Sequence, residues 1–127
     1  MMILCDTNVF IHAFNGDVAT IKQLEQIGLQ EIALSAVRLM ELYQGMDNKY
    51  ELAKMKKKLQ YFDIIHLDDV ISRTAIMLIE KFKLSHGLQI PDAIIGATSI
   101  SYNLPLYTYN LKDFSFMPNI HIYNPPA

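Results

Sequence analysis

Met2-Ile3-Leu4-Cys5-Asp6-Thr7-Asn8 is an apolar run cut off by a carboxylate. Apolar residues with no polar alternation read as a short strand buried on both faces, as strands of parallel sheets are. Asp6 then stands where a strand hands over to a helix. Ligands of open parallel sheets bind beyond the carboxyl ends of the strands, so the position suits a metal ligand. The same aspartate, or Thr7 or Asn8, could instead cap the helix that follows.

Outward from this stretch, strand and helix patterns alternate. Residues 8–15 and 18–27 read as helices, separated by Asn15-Gly16-Asp17. A short strand at residues 32–34 precedes a helix from Ala36 that Gly45 ends, and residues 51–60 form a lysine-rich helix. Residues 62–66 alternate as a strand. Asp68 or Asp69 caps a long helix running to Lys83, with Ile71, Ala75, Leu78, Ile79 and Phe82 at helical spacing and Gly87 beyond its end. Pro91 starts another helix, which reaches about Tyr102. Strands at residues 104–108 and 121–123 follow, then Pro125-Pro126. This alternation predicts an α/β domain with a largely parallel sheet.

The chain has 127 residues, 51% of them hydrophobic, which fits one domain over residues 1–127. A chain of this size buries roughly two-thirds of its unfolded surface, enough for a real core. A net charge of −2 excludes a polycation that coats nucleic acid, so phosphate contacts would need a local patch. Lys54, Lys56, Lys57 and Lys58 form the one strong basic cluster. It reads either as a solvated helix face or as a patch that tracks RNA phosphates. Cys5, the single cysteine, can make no internal disulfide and suits a reducing compartment. No signal-peptide pattern opens the chain, and no apolar segment is long enough to span a membrane, so a cytoplasmic protein is expected.

Four acids stand out by context. Asp6 ends the first strand, and Glu41 lies between Met40 and Leu42 on a helix with few polar residues. Arg38, three residues before Glu41, could pair with it on a solvated stripe shared with Gln44. Asp92 follows Pro91 in the first turn of its helix, where the dipole favours an ionised carboxylate. Gly96 and Ser99 share its face and leave room for an approaching group. Asp113 follows Asn110 by three, a spacing that also fits a capping box. Carboxylates brought together repel one another, and a hard divalent cation removes that cost. Without the ion, neutralising Asp6 or Asp92 is expected to leave the fold as stable or more so. His12, His66, His86 and His121 fall in no catalytic spacing.

Taken together, Met2-Ile3-Leu4-Cys5-Asp6-Thr7-Asn8, Ser35…Glu41-Leu42…Gly45, Asp92-Ala93…Ala97-Thr98 and Thr108…Asn110…Asp113-Phe114 resemble the PIN-domain nucleases, specifically the VapC-type toxins of toxin–antitoxin pairs. The resemblance implies a PIN-like three-layer α/β/α domain with a short, mostly parallel central sheet. It implies a metal-dependent endoribonuclease in which Asp6, Glu41, Asp92 and Asp113 bind Mg²⁺ or Mn²⁺. Asn8, Thr108 and Asn110 would support the site, and Arg38, Lys54, Lys57 and Lys58 would meet RNA. A cognate antitoxin is implied as partner, with an arginine facing the carboxylates, and a toxin homodimer within the complex. Leu24, Ile27, Leu39, Tyr43, Met46 and Tyr50 would supply the apolar groove for such contacts. Two positions depart from the pattern: Tyr109 stands where relatives are often basic, and Arg38 where they often carry a small hydroxyl residue.

Three rivals remain. A haloacid-dehalogenase phosphatase needs a second acid two residues after Asp6, where Asn8 stands. A receiver-type signalling domain would use Asp68 as phospho-acceptor but lacks the acidic pair after its first strand. A PIN fold that binds RNA without cutting it is the third.

Overall fold

The apolar runs become the centre of a parallel sheet in the computed structural model, which describes residues 2–125. In chain order the elements are β1 (Ile3–Cys5), α1 (Thr7–Phe14), α2 (Val18–Ile27), β2 (Ile32–Ser35), α3 (Ala36–Gln44), α4 (Lys49–Leu59), β3 (Asp63–Ile65), α5 (Asp69–His86), α6 (Ile90–Ser101) and β4 (Leu106–Tyr107). Short 3₁₀ turns lie at Leu29–Glu31 and Leu111–Asp113. All strand pairs are parallel, in the order β3-β2-β1-β4.

That order explains the layers. The chain first moves from β1 to β2 to β3, then crosses back to set β4 on the free side of β1. Crossovers of one hand place connections on opposite faces when the direction reverses. Alternate strand residues record the two faces. Leu4, Ala33 and Leu106 pack with Ile71, Ala75 and Leu78 of α5 and Ala93 and Ala97 of α6. Ile3, Cys5, Ile32, Leu34 and Tyr107 pack with Val9 and Phe10 of α1, Leu24 of α2, Leu42 of α3 and Leu59 of α4. The result is the expected three-layer α/β/α arrangement.

Local signals account for the helix ends. Asp68 caps α5 by accepting from the Ile71 N–H at 2.8 Å, and Gly87 closes it in the left-handed region at φ 66°. Gly45 ends α3 with φ −77°, a conformation open to any residue, so its flexibility is not what stops that helix.

The strands expected at residues 104–108 and 121–123 are the most reduced. Pro105 has no N–H to donate, and only its carbonyl joins the sheet, accepting from Leu4 N at 2.9 Å. The last backbone bond of the β1–β4 pair runs from the Asp6 N–H to the Tyr107 carbonyl at 2.9 Å, and beyond it the Thr108 hydroxyl turns to Asp6. The strand expected at residues 121–123 is a single parallel bridge between Leu106 and Ile122. Pro126 lies outside the described residues.

Candidate active site

The sheet reverses its strand order between β1 and β4, the place where open α/β sheets bind ligands. Asp6 follows β1 and Thr108 follows β4, so the two face each other across this crevice. Asp6 is buried, at 2% exposure. It caps α1 by accepting from the Thr7 N–H at 2.9 Å, and it accepts from the Thr108 hydroxyl at 2.9 Å. Capping and site-building are therefore one arrangement. The Thr108 oxygen accepts from the Asn110 N–H at 3.0 Å and the Asn8 amide at 3.4 Å, while the Asn8 carbonyl accepts from the Tyr109 N–H at 3.3 Å. Asn8 thus ties the two strand ends together, and Asn110 contributes its backbone.

Arg38 is the residue whose placement differs most from the sequence reading. It lies in the first turns of α3, which Ser35 caps at the end of β2. The side chain points inward, away from any solvated stripe, and the residue is 9% exposed. Its Nε donates to Asp6 Oδ1 at 2.8 Å, one terminal nitrogen to Glu41 Oε1 at 2.8 Å and the other to Asp92 Oδ1 at 2.6 Å. All three nitrogens are engaged with carboxylates from α3, α6 and the end of β1. The guanidinium is therefore not presented to an RNA phosphate as expected. The i,i+3 pair with Glu41 was legible, but the reach to Asp6 and Asp92 was not. Arginine geometry suits such a fork.

The electrostatics follow. Burial pulls the Arg38 proton affinity down, but Asp6, Glu41 and Asp92 more than compensate, so it stays charged and is raised overall. Burial raises the Asp92 carboxyl above its ordinary value; Arg38 lowers it, while Asp113 and Asp6 raise it again. Asp113 is close enough to act on Asp92 yet is exposed, in the 3₁₀ turn after β4. Its expected capping bond to Asn110 does not form: Asn110 makes no side-chain cap, and only the Asp113 N–H bonds back to the Asn110 carbonyl.

Three of the four acids thus meet on one cation, and the fourth is their electrostatic neighbour. Clustered hard oxygens are the donor set that Mg²⁺ or Mn²⁺ takes. Yet among the described residues no three of Asp, Glu, His and Cys surround a point ready to hold an ion. The chemistry of the donors fits, and the guanidinium of this chain sits between them.

Other expectations are corrected. Room beside Asp92 is taken by the chain itself, since Gly96 lies under the Met117 side chain and the Ser99 hydroxyl donates to Leu104 O at 2.6 Å. Leu24 is buried, and Ile27, Leu39 and Tyr43 pack against the core, leaving Tyr50 exposed. An apolar groove of about 470 Å³ lies between α5 and α6 and is lined by Leu67, Ile71, Ile76, Ile79, Ile90 and Ile94. Lys54, Lys56, Lys57 and Lys58 are exposed on α4. Tyr109 is held by hydroxyl contacts to Thr20 at 2.5 Å and Tyr107 at 3.0 Å. Asp68 is spent on its helix cap and on the Tyr102 hydroxyl, which leaves little for a phospho-acceptor role. No helix among the described residues is long and apolar enough to cross a membrane.

Comparison with known proteins agrees with this fold. The family model described as PIN domain matches residues 3–116. A curated relative, Ribonuclease VapC1 of Methanocaldococcus jannaschii, is 29% identical over 114 residues, 88% of this chain and 78% of that protein. A toxin–antitoxin complex from Klebsiella pneumoniae contains a chain 32% identical, with a TM-score of 0.77 over 93% of this chain and 94% of that one. A chain of VapBC2 from Rickettsia felis, bound to a DNA fragment from its promoter, is 26% identical, with a TM-score of 0.81 over 98% of each chain.

Proposed function

Because the chain belongs to the PIN-domain family, we propose that it is an endoribonuclease and the toxin of a toxin–antitoxin pair. One observation carries this reading: Asp6, Glu41 and Asp92 converge within 2.6 to 2.8 Å of a single guanidinium at the crevice between β1 and β4. Carboxylates are gathered so closely where their charge is to be used, because the repulsion otherwise opposes folding. The relative named as a ribonuclease and the similar chains solved in toxin–antitoxin complexes support the substrate and the role.

Asp6, Asp92 and Asp113, with Glu41, would hold Mg²⁺ or Mn²⁺. Such an ion makes water more acidic and neutralises charge that develops on a phosphodiester during hydrolysis. The chain's own residues do the rest. Thr108 fixes the Asp6 carboxylate by a hydrogen bond, and Asn8 in turn holds the Thr108 hydroxyl, so the Asp6 lone pairs keep one direction. The α6 dipole favours the ionised form of Asp92, which burial opposes. Exposed Lys54 and Lys57 flank a shallow hollow with Tyr50, which is 74% exposed. A cationic patch beside an aromatic ring suits a single-stranded RNA backbone and its bases. An antitoxin bound to the chain, and a toxin dimer within that complex, would keep a cytoplasmic ribonuclease from its host's RNA.

Purified protein with Mg²⁺ or Mn²⁺ should cut a structured RNA, and EDTA should stop it. Robust cleavage in EDTA would overturn the metal-dependent reading. Expression of the protein alone should slow bacterial growth, and co-expression of a neighbouring small gene should restore it. Toxicity that persists beside a soluble neighbour product would remove the partner and leave the nuclease.

A further inference from the structure

We propose that Arg38 is the resident cation of the acidic site, and that a divalent ion enters only as its guanidinium leaves. The inference rests on the metal-dependent reading above. An ordinary helical ion pair would join Arg38 to Glu41 alone, on the surface. Here the same guanidinium also spans to Asp6 and Asp92, residues 32 and 54 positions away, at 2.8 and 2.6 Å. Each of its nitrogens binds a different carboxylate, so it fills the centre that the three acids share.

The arrangement is under-neutralised. One positive charge serves Asp6, Glu41 and Asp92, with Asp113 close by and making no bond to Arg38. A divalent ion would match this charge better, so displacement has a driving force. It also has a route. Asp6 is sealed, but the Glu41 and Asp92 side chains are 44% and 26% exposed, so the site opens on their side. Arg38 stands on α3 with a long side chain, and rotation about its own bonds carries the guanidinium past Glu41 without moving the helix. A site that must first expel its own cation binds a second one more weakly, by the fraction of time the first is absent.

The test compares Mn²⁺ binding by calorimetry in the wild-type chain, Arg38→Met and Arg38→Lys. It adds the Arg38 Nε–H resonance of ¹⁵N-labelled wild type during Mg²⁺ titration. Arg38→Met should bind Mn²⁺ at least about tenfold more tightly than wild type, with Arg38→Lys between them. In the wild type the Arg38 signal should shift and lose protection as Mg²⁺ saturates. Equal affinities, or an Arg38 signal unmoved at saturation, would show that ion and guanidinium coexist; the inference then fails while the metal site stands. If a folded Arg38→Met chain and the wild type both bind no Mn²⁺, the metal-dependent reading falls, and the inference with it. Should Arg38→Met not fold, Arg38→Lys and the wild-type resonance decide alone.

Discussion

Neutralising Asp6 should change sign with the residue at position 38. In the wild-type chain the Asp6 carboxylate receives the Arg38 Nε–H at 2.8 Å, the Thr108 hydroxyl at 2.9 Å and the Thr7 N–H at 2.9 Å, at 2% exposure. Asp6→Asn preserves shape and one acceptor oxygen but removes the charge opposite a buried guanidinium. Hydrogen bonds to charged groups contribute about 1.5–3 kcal/mol and neutral ones about 0.5–1.5, so the substitution should cost about 2 kcal/mol. This reverses the expectation from sequence, in which four uncompensated carboxylates made neutralisation harmless. Arg38→Met restores those conditions. In that background Asp6 faces Glu41 and Asp92 with no cation between them, and Asp6→Asn should stabilise by about 1 kcal/mol. Arg38→Met alone should cost about 3–5 kcal/mol, because breaking a buried pair strands its charges. Urea unfolding of the four proteins in EDTA at neutral pH measures the cycle. A coupling of about 3 kcal/mol is expected, well beyond the roughly 0.5 kcal/mol by which independent sites deviate from additivity. Effects of Asp6→Asn that agree in sign and size in both backgrounds would refute Arg38 as the counter-charge.

Three further outcomes follow from particular contacts. Burial, and then Asp6, push the Cys5 thiol up to about 12 from 9.0. Its folded value exceeds its unfolded one, so the stability it contributes is complete below pH 9 and is lost as pH rises toward 12; between pH 9 and 10 wild-type stability should fall by up to about 1 kcal/mol, and Cys5→Ala should flatten that slope in urea melts. A Cβ at Gly96 would lie 2.2 Å from Met117 Sδ, so Gly96→Ala should destabilise by about 1–3 kcal/mol, and the same substitution should cost less in a Met117→Ala background, which is itself destabilised by the loss of a buried side chain; no loss in Gly96→Ala would show that the Met117 end swings aside freely. Thr108→Val leaves Asp6 without its hydroxyl donor and the Asn110 N–H without its acceptor, so thermal melts should report a loss of about 1–3 kcal/mol, and an unchanged midpoint would mean that water replaces the hydroxyl.

What sequence could tell depended on how far apart the cooperating residues lie. Asp6, Pro91, Asp68 and Gly87 act on neighbours within a turn, and the helices they bound stand within a few residues of expectation. Which face each helix covers followed from periodicity, as Ile71, Ala75 and Leu78 on α5 illustrate. The gathering of Asp6, Glu41 and Asp92 was legible through resemblance. What gathers them was not. Arg38 reads as a surface partner of Glu41 because that spacing is local, whereas its bonds to Asp6 and Asp92 exist only once β2 lies beside β1 and α6 packs against α3. Gly96 misled for the same reason, because the side chain that fills its hollow arrives from residue 117. The shortened β4 reflects what strand propensity does not register: its neighbour β1 ends at Cys5, and beyond that point Thr108 meets Asp6 through its side chain.

The proton affinity of Asp92 shows how burial and charge compete at the site. Asp92 receives the shortest of the Arg38 bonds, at 2.6 Å, and the guanidinium lowers its value both through that bond and through charge. The value is nonetheless raised, by burial first and then by Asp113 and Asp6. Arg38 therefore meets the needs of folding without satisfying this carboxylate. Asp113, exposed and unbonded to Arg38, adds a like charge to that balance. A positive charge added near Asp92 and Asp113 would gain from both acids at once, whereas one added beside Asp6 would contend with a carboxylate already holding three donors. The fold thus keeps Asp6 as the fixed wall of the crevice and leaves Asp92 and Asp113 toward the open side, where a cation or a cation-bearing partner would meet them.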